Sequence, residues 1–164
     1  MAVRIEDLHA EDFYVWTQRQ AAALRRIAEA RPNLELDFPH LIEEVADLGT
    51  TQRVLVRAQV RRLIEHCLKL EYSRAQAARP LWYDSILDAR ARLEDSLSPS
   101  LRRDLEEQMP RLWTQARTKS DNALRGHRDP DAADLLPADC PYGLDDLLAD
   151  GWYPANRRGL PDDR

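Results

Sequence analysis

Apolar residues recur at helical spacing over most of the chain. Phe13, Trp16, Leu24 and Ile27, with Gln20 filling the gap, step by three or four residues and predict a first helix over residues 13–31. Asp12 precedes it, where a carboxylate accepts from first-turn N–H groups and suits the helix dipole. Pro32 and Asn33 end it. A longer stripe follows: Leu41, Val45, Leu48, Gln52, Leu55, Gln59, Leu63, His66 and Leu70. Its phase survives Gly49, which predicts one helix of roughly 30 residues, about 45–50 Å long at 1.5 Å per residue. Asp37 and Pro39 read as its start. A break at Gly49–Thr51 is the alternative, because glycine costs about 1 kcal/mol against alanine in a helix interior. The stripe predicts burial of Leu41, Val45, Leu48, Leu55, Leu63 and Leu70.

Pro80 opens a third helical pattern, running to about Leu97 through Trp82, Ile86, Ala89 and Leu93. Ser98-Pro99 reads as an N-cap followed by proline at the first helical position. The fourth pattern carries Leu101, Leu105, Met109, Leu112, Ala116, Ala123 and Leu124 to Gly126, and Pro110 is expected to kink or split it. Residues 127–141 lack a period and read as an extended segment. Leu144, Leu147 and Leu148 predict one short helix closed by Gly151, with Trp152 and Tyr153 as anchors. The expectation is an all-α, up-and-down bundle of four main helices with a long central helix and a short C-terminal one. It forms a single domain over residues 1–154, followed by a frayed tail at 155–164.

Composition narrows the picture. At 164 residues with only five glycines and few β-branched side chains, the chain is one domain of ordinary size, without glycine-rich phosphate loops. No apolar run approaches the ~18–20 residues of a membrane span. The acidic start, Met1 to Asp12, lacks a signal peptide's apolar region, so a cytoplasmic location is expected. Cys67 and Cys140 stand far apart and form no CxxC motif, which suits reduced thiols. Of the 24 basic residues only Lys69 and Lys119 are lysine. Net charge runs −5 over residues 1–52, +6 over 53–128 and −6 over 129–164, so the basic middle either packs against its acidic ends or meets an acidic partner.

Four blocks occur in a distinctive order: DFYVWTQRQAAAL (12–24), FPHLIEEVADLG (38–49), RRLIEHCLKLEY (61–72) and CPYGLDDLLADGWYP (140–154). In sequence and spacing they resemble the bacterial family designated domain of unknown function 29, over roughly residues 6–154. The resemblance implies a small all-helical bacterial protein and carries no activity. The family pattern has Ser or Thr after the tyrosine of the last block. Gly143 stands there instead and weakens the cap of the short helix.

Three clusters carry candidate chemistry. His40, Glu43, Glu44 and Asp47 share faces at i,i+4 and could hold a metal or move a proton. The di-iron pattern of Glu-x-x-His on two helices fails, because Asp37 and Leu63 precede His40 and His66. Further ligands would have to come from Asp84, Asp88, Glu94 or Asp121. A solvated acidic face, with Glu44 or Asp47 held by an arginine, is the simpler expectation. His66 and Lys69 form the second cluster and match the third family block; a buried, hydrogen-bonded core histidine is expected. Gln52 and Gln59 need partners if buried. Arg53, Arg57, Arg61 and Arg62 make a basic ridge that could track phosphates. No DNA-binding motif accompanies it and the net charge is negative, so pairing with acidic groups is favoured. No glycine-flanked serine supports nucleophilic catalysis, Cys67 suits a small buried hydrophobe, and the four tryptophans suit core anchors.

These readings favour a non-enzymatic protein-interaction module, self-associating or bound to another protein, with no cofactor and no membrane. The alternatives are a nucleic-acid binder using the arginine ridge and a metal-dependent or acid/base enzyme using the carboxylate and histidine cluster.

Overall fold

The computed structural model describes residues 4–30 and 33–161, and those residues contain helices and no strand. The elements are α1 (Ile5–Glu11), α2 (Phe13–Glu29), α3 (Phe38–Tyr72), a single 3-10 turn (Gln76–Ala78), α4 (Arg79–Ser96), α5 (Pro99–Gly126), α6 (Pro130–Asp134) and α7 (Leu144–Leu148). Four are long, as the periodicity predicts, while α1 and α6 are additions. Pro32, expected to end the first helix, lies outside the described residues. The described residues divide into two compact units, one drawn from residues 1–56 and 96–104 and the other from 57–95 and 105–164.

In the first unit α2 and the first half of α3 form an antiparallel hairpin. Gln18 Nε2 reaches the Ala46 carbonyl, and Arg53 donates to the Tyr14 hydroxyl at 3.0 Å. Gly49 sits between these contacts. A Cβ there would overlap Thr17 Oγ1 and lie 3.2 Å from Tyr14 Cδ2, so the glycine permits close approach of the two helices. The helix continues through it without a break.

That seam overturns the predicted burial. Gly49 and Val56 face inward, whereas Leu48 is turned about 100° from Gly49 around the helix. Leu41, Leu48 and Leu55 are exposed at 37%, 54% and 57%, and Val45 is half-buried. Asp12, itself buried, joins two helix starts: it accepts from Val15 N in α2 and from Ser100 N and both Ser98 and Ser100 hydroxyls at α5. Burial pushes its pKa up, but the Ser100 hydroxyl, the two backbone donors and Ser98 outweigh this and hold it below the usual carboxylate value.

The second unit holds the principal core: Val60, Leu63, Ile64, Cys67, Leu68 and Leu70 of α3 against Ile86, Leu93, Leu105, Ala116 and Leu147, all essentially inaccessible. Here the predicted burial of Leu63 and Leu70 is observed. Helix α5 runs unbroken through Pro110. Pro110 and Glu106, the residue one turn before it, are both exposed, so the proline ring meets solvent rather than a packed neighbour. Of the expected tryptophan anchors, Trp113 is buried and donates to the Ala138 carbonyl, while Trp16, Trp82 and Trp152 are half-buried. At α7, Gly143 offers no capping side chain. Asp146 accepts from the Gly143 N–H at 3.3 Å instead.

Residues 155–161 are tied down, contrary to the frayed tail expected; residues 162–164 lie outside the description. Asn156 Nδ2 donates to the carbonyls of Leu70 and Ser73, and Arg157 N to that of Glu71. These are the carbonyls that the end of α3 leaves without helical partners. Glu71, 4% exposed, accepts from the Tyr142 hydroxyl at 2.6 Å and pairs with Arg157. Arg90, equally buried, donates to the carbonyls of Leu147 and Trp152 and lies over the Tyr153 ring. Buried charges thus fasten the C-terminal segment to α3 and α4.

Candidate functional site

The acidic cluster stays open. His40, Glu43, Glu44 and Asp47 are exposed on the first turns of α3. His40 Nδ1 bonds Asp37 Oδ2 at 2.6 Å, and Asp37 also accepts from His40 N, so the pair caps the helix start. This hydrogen bond raises the histidine pKa and lowers that of the aspartate. Among the described residues neither Glu44 nor Asp47 is held by an arginine, which corrects that expectation: both carboxylates are exposed and need no partner to offset burial. Asp84, Asp88 and Glu94 are likewise exposed, and Asp121 is engaged by Arg125. Among the described residues no group of three or more His, Cys, Asp and Glu side chains is placed to hold a metal ion.

The arginine ridge is not a uniform solvent-facing row. Arg53 is half-buried, bonded to the Tyr14 hydroxyl and stacked over that ring, with its Nε buried and unpaired. Arg57 is half-buried. Arg61 pairs with Glu65 at 3.6 Å, and Arg62 is exposed. Nearby polar stripe residues are incompletely satisfied. Gln52 Nε2 reaches the Ser96 carbonyl, but its Oε1 and that of Gln59 are buried without partners.

The second unit gathers the remaining chemistry around one turn of α3. Glu65 is 3% exposed, and its carboxylate is compensated by Lys119 Nζ at 2.9 Å and by Arg61. One residue on, His66 is only half-buried and its Nδ1 is enclosed without a partner, contrary to the hydrogen-bonded histidine expected. Burial, reinforced by Lys69, Arg62 and Lys119, pushes its pKa down to about 4. Its imidazole is therefore neutral at pH 7 and too weak a base for efficient proton transfer there. Burial likewise lowers the Lys69 pKa; Glu65 pulls it up and Lys119 pushes it down. Cys67 is fully buried and its thiol is pushed up to about 12, so it packs as a small hydrophobe.

Lys69 opens into a cavity of about 430 Å³ that the sequence did not reveal. The end of α3, the start of α4 and the end of α5 enclose it. Trp82, Leu81 and Leu124 supply apolar walls, with Ser73, His127 and Asp129 as polar members. These residues are scattered over 60 positions, and only the rarity of lysine in this chain hinted at the spot. Two further cavities lie in the same unit. One, of about 490 Å³, sits beside Arg79, Tyr83 and Tyr153, and the other, of about 570 Å³, beside Trp113, Cys140 and Tyr142.

Fold and site together describe an all-helical protein with clefts but without a recognisable catalytic constellation among the described residues. The chain belongs to the family described as Domain of unknown function DUF29, whose model matches residues 8–153. It is similar in structure to an alpha-helical protein of unknown function from Rhodospirillum rubrum, with a TM-score of 0.77 and 23% identity over 88% of this chain and 90% of that one. At that identity the likeness speaks for the fold alone. No curated protein matches the chain. No helix among the described residues is long and apolar enough to cross a membrane.

Proposed function

We propose that this chain is a protein-interaction module that self-associates through the exposed edge of α3. The observation that carries this reading is the row Leu41, Leu48 and Leu55: exposed, and spaced by seven residues along one helix. Single exposed leucines are ordinary on a protein surface, but a seven-residue repeat lines them up along one side. Val45 and Gln52 alternate with them, giving the steps of four and three that a facing helix requires. A second copy of the chain supplies the complementary row in either direction, and a two-fold arrangement lets one patch cover its equivalent. Leu34 and Leu36, exposed just before α3, enlarge the apolar surface.

Light scattering coupled to size exclusion tests the reading, using the full chain and the variants Leu48→Glu and Leu55→Glu. A wild-type dimer that both variants convert to a monomer, with unchanged helicity, is the expected result. A monomeric wild type at ~100 μM, an affinity range reached by even weak specific pairs, would overturn it.

A further inference from the structure

We propose that the cavity beside Lys69 binds a small carboxylic acid with an apolar body, the carboxylate on the lysine ammonium and the apolar part against Trp82 and Leu81. This site lies in the second unit and does not depend on self-association through α3. Three observations converge on it. The first is a charge without a direct ionic partner. Lys69 is half-buried and its ammonium makes no hydrogen bond or ion pair with the described residues. The carboxylates around it are already engaged. Asp129 accepts from the Ser73 hydroxyl at 2.8 Å, from Arg74 N and from Ala132 N. Glu65 is held by Lys119 and Arg61. Burial lowers the Lys69 pKa, as expected for a cation short of a counter-ion.

The second observation is the shape and chemistry of the space. Its volume falls in the lower part of the range for small-molecule sites, and its walls are mainly apolar with a few polar groups, the usual make-up of such sites. The Trp82 indole N–H has no acceptor among the described residues, whereas that of Trp113 is satisfied. Trp82 can therefore offer both a flat apolar face and a donor. His127, exposed at the lining, adds a further donor for an acid.

The third observation comes from composition. Arginine fills 22 of the 24 basic positions, and Lys119 lies close enough to Lys69 to lower the latter's affinity for protons. Lys119 neutralises buried Glu65, leaving Lys69 to face the cavity. Lysine there presents a compact point charge on a flexible stem, which suits a single carboxylate inside a narrow space better than a planar guanidinium does.

Calorimetric titration of the full chain tests the proposal with benzoate and octanoate, which distinguish an aryl from an acyl body. Benzamide, octanol and inorganic phosphate serve as controls lacking either the charge or the apolar part. The expected result is saturable one-to-one binding of at least one acid, with about tenfold or greater weakening in Lys69→Met and no saturable binding of the controls. Leu81→Asp keeps the test valid should Lys69→Met fail to fold. Leu81 is 67% exposed, so the change leaves the core intact while placing a repelling carboxylate at the lining, and the acid should again bind about tenfold more weakly or worse. Absence of saturable binding by both acids up to ~10 mM, or equal affinity for acid and neutral control, would overturn the proposal. So would undiminished affinity in folded Lys69→Met or in Leu81→Asp.

Discussion

Replacing Gly49 with alanine sets two effects against each other. Alanine is favoured over glycine in a helix interior by about 1 kcal/mol, and on a solvated face Gly49→Ala would stabilise by that amount. Here the new methyl group meets Thr17 Oγ1 well inside contact distance, with Tyr14 Cδ2 at 3.2 Å and Thr17 Cβ at 3.3 Å. Thr17 is fully buried and its hydroxyl donates to the Tyr14 carbonyl at 2.7 Å. Rotating it away forfeits that bond, worth about 0.5–1.5 kcal/mol, and separating the helices opens the seam. Overpacking of this kind costs about 1–3 kcal/mol, which exceeds the propensity gain over most of its range. The expected net result is destabilisation by about 0.5–2 kcal/mol, read from urea denaturation followed by circular dichroism. Thr17→Ala makes room for the methyl, so the double variant should lose less than the sum of the single ones by about 1 kcal/mol or more. A Gly49→Ala variant more stable than wild type by about 1 kcal/mol would refute the close-approach reasoning.

Further outcomes follow from burial and charge. Leu63→Ala should cost about 2–5 kcal/mol in denaturant melts, whereas Leu48→Ala should stay within about 0.5 kcal/mol, because Leu63 is inaccessible and Leu48 is not. Tyr142→Phe leaves the buried Glu71 carboxylate short of a donor and should cost about 1–3 kcal/mol, with proteolysis increasing first in the segment after residue 150. His66 has a folded-state pKa of about 4 against 6.5 for an ordinary histidine, so the unfolded chain binds the proton more readily. Its contribution is therefore full above pH 6.5 and declines as pH falls toward 4. A His66→Gln variant should show a smaller stability loss between pH 7 and pH 4.5 than wild type, and an equal loss would exclude this histidine as the cause.

Helical periodicity made the long elements legible, because nearly every core position of the second unit repeats at 3.6-residue spacing. It was less informative about which side of a stripe is covered. Leu41, Leu48 and Leu55 carry the stronger apolar signal, yet the seam of the first unit runs through Gly49, the residue with no side chain. Caps at Asp12 and Ser98 were readable because their partners lie within three residues along the chain. The second role of Asp12, at Ser100, joins positions 88 residues apart and leaves no local trace. The same holds for the cavity at Lys69 and for the bonds from Asn156 and Arg157 to α3. Pro110 does not split α5, because proline's cost in a helix depends on its surroundings, and sequence does not carry exposure.

The bonds from Asn156 and Arg157 to the end of α3 impose an order of events during synthesis. The carbonyl of Glu71 leaves the ribosome 86 residues before the Arg157 N–H that satisfies it, and that of Leu70 as long before its second donor, Asn156, Arg79 being its first. At about 5–20 residues per second, that interval is on the order of ten seconds. Throughout it, the final turn of α3 has only water and local donors, and Glu71 waits for both Tyr142 and Arg157. A nascent chain stopped short of Tyr142 would therefore retain a frayed helix end around a carboxylate deprived of both partners. Its apolar neighbours Leu68 and Leu70 would be intermittently accessible to a chaperone or a protease. Completion of translation through this segment is thus the step that closes the core.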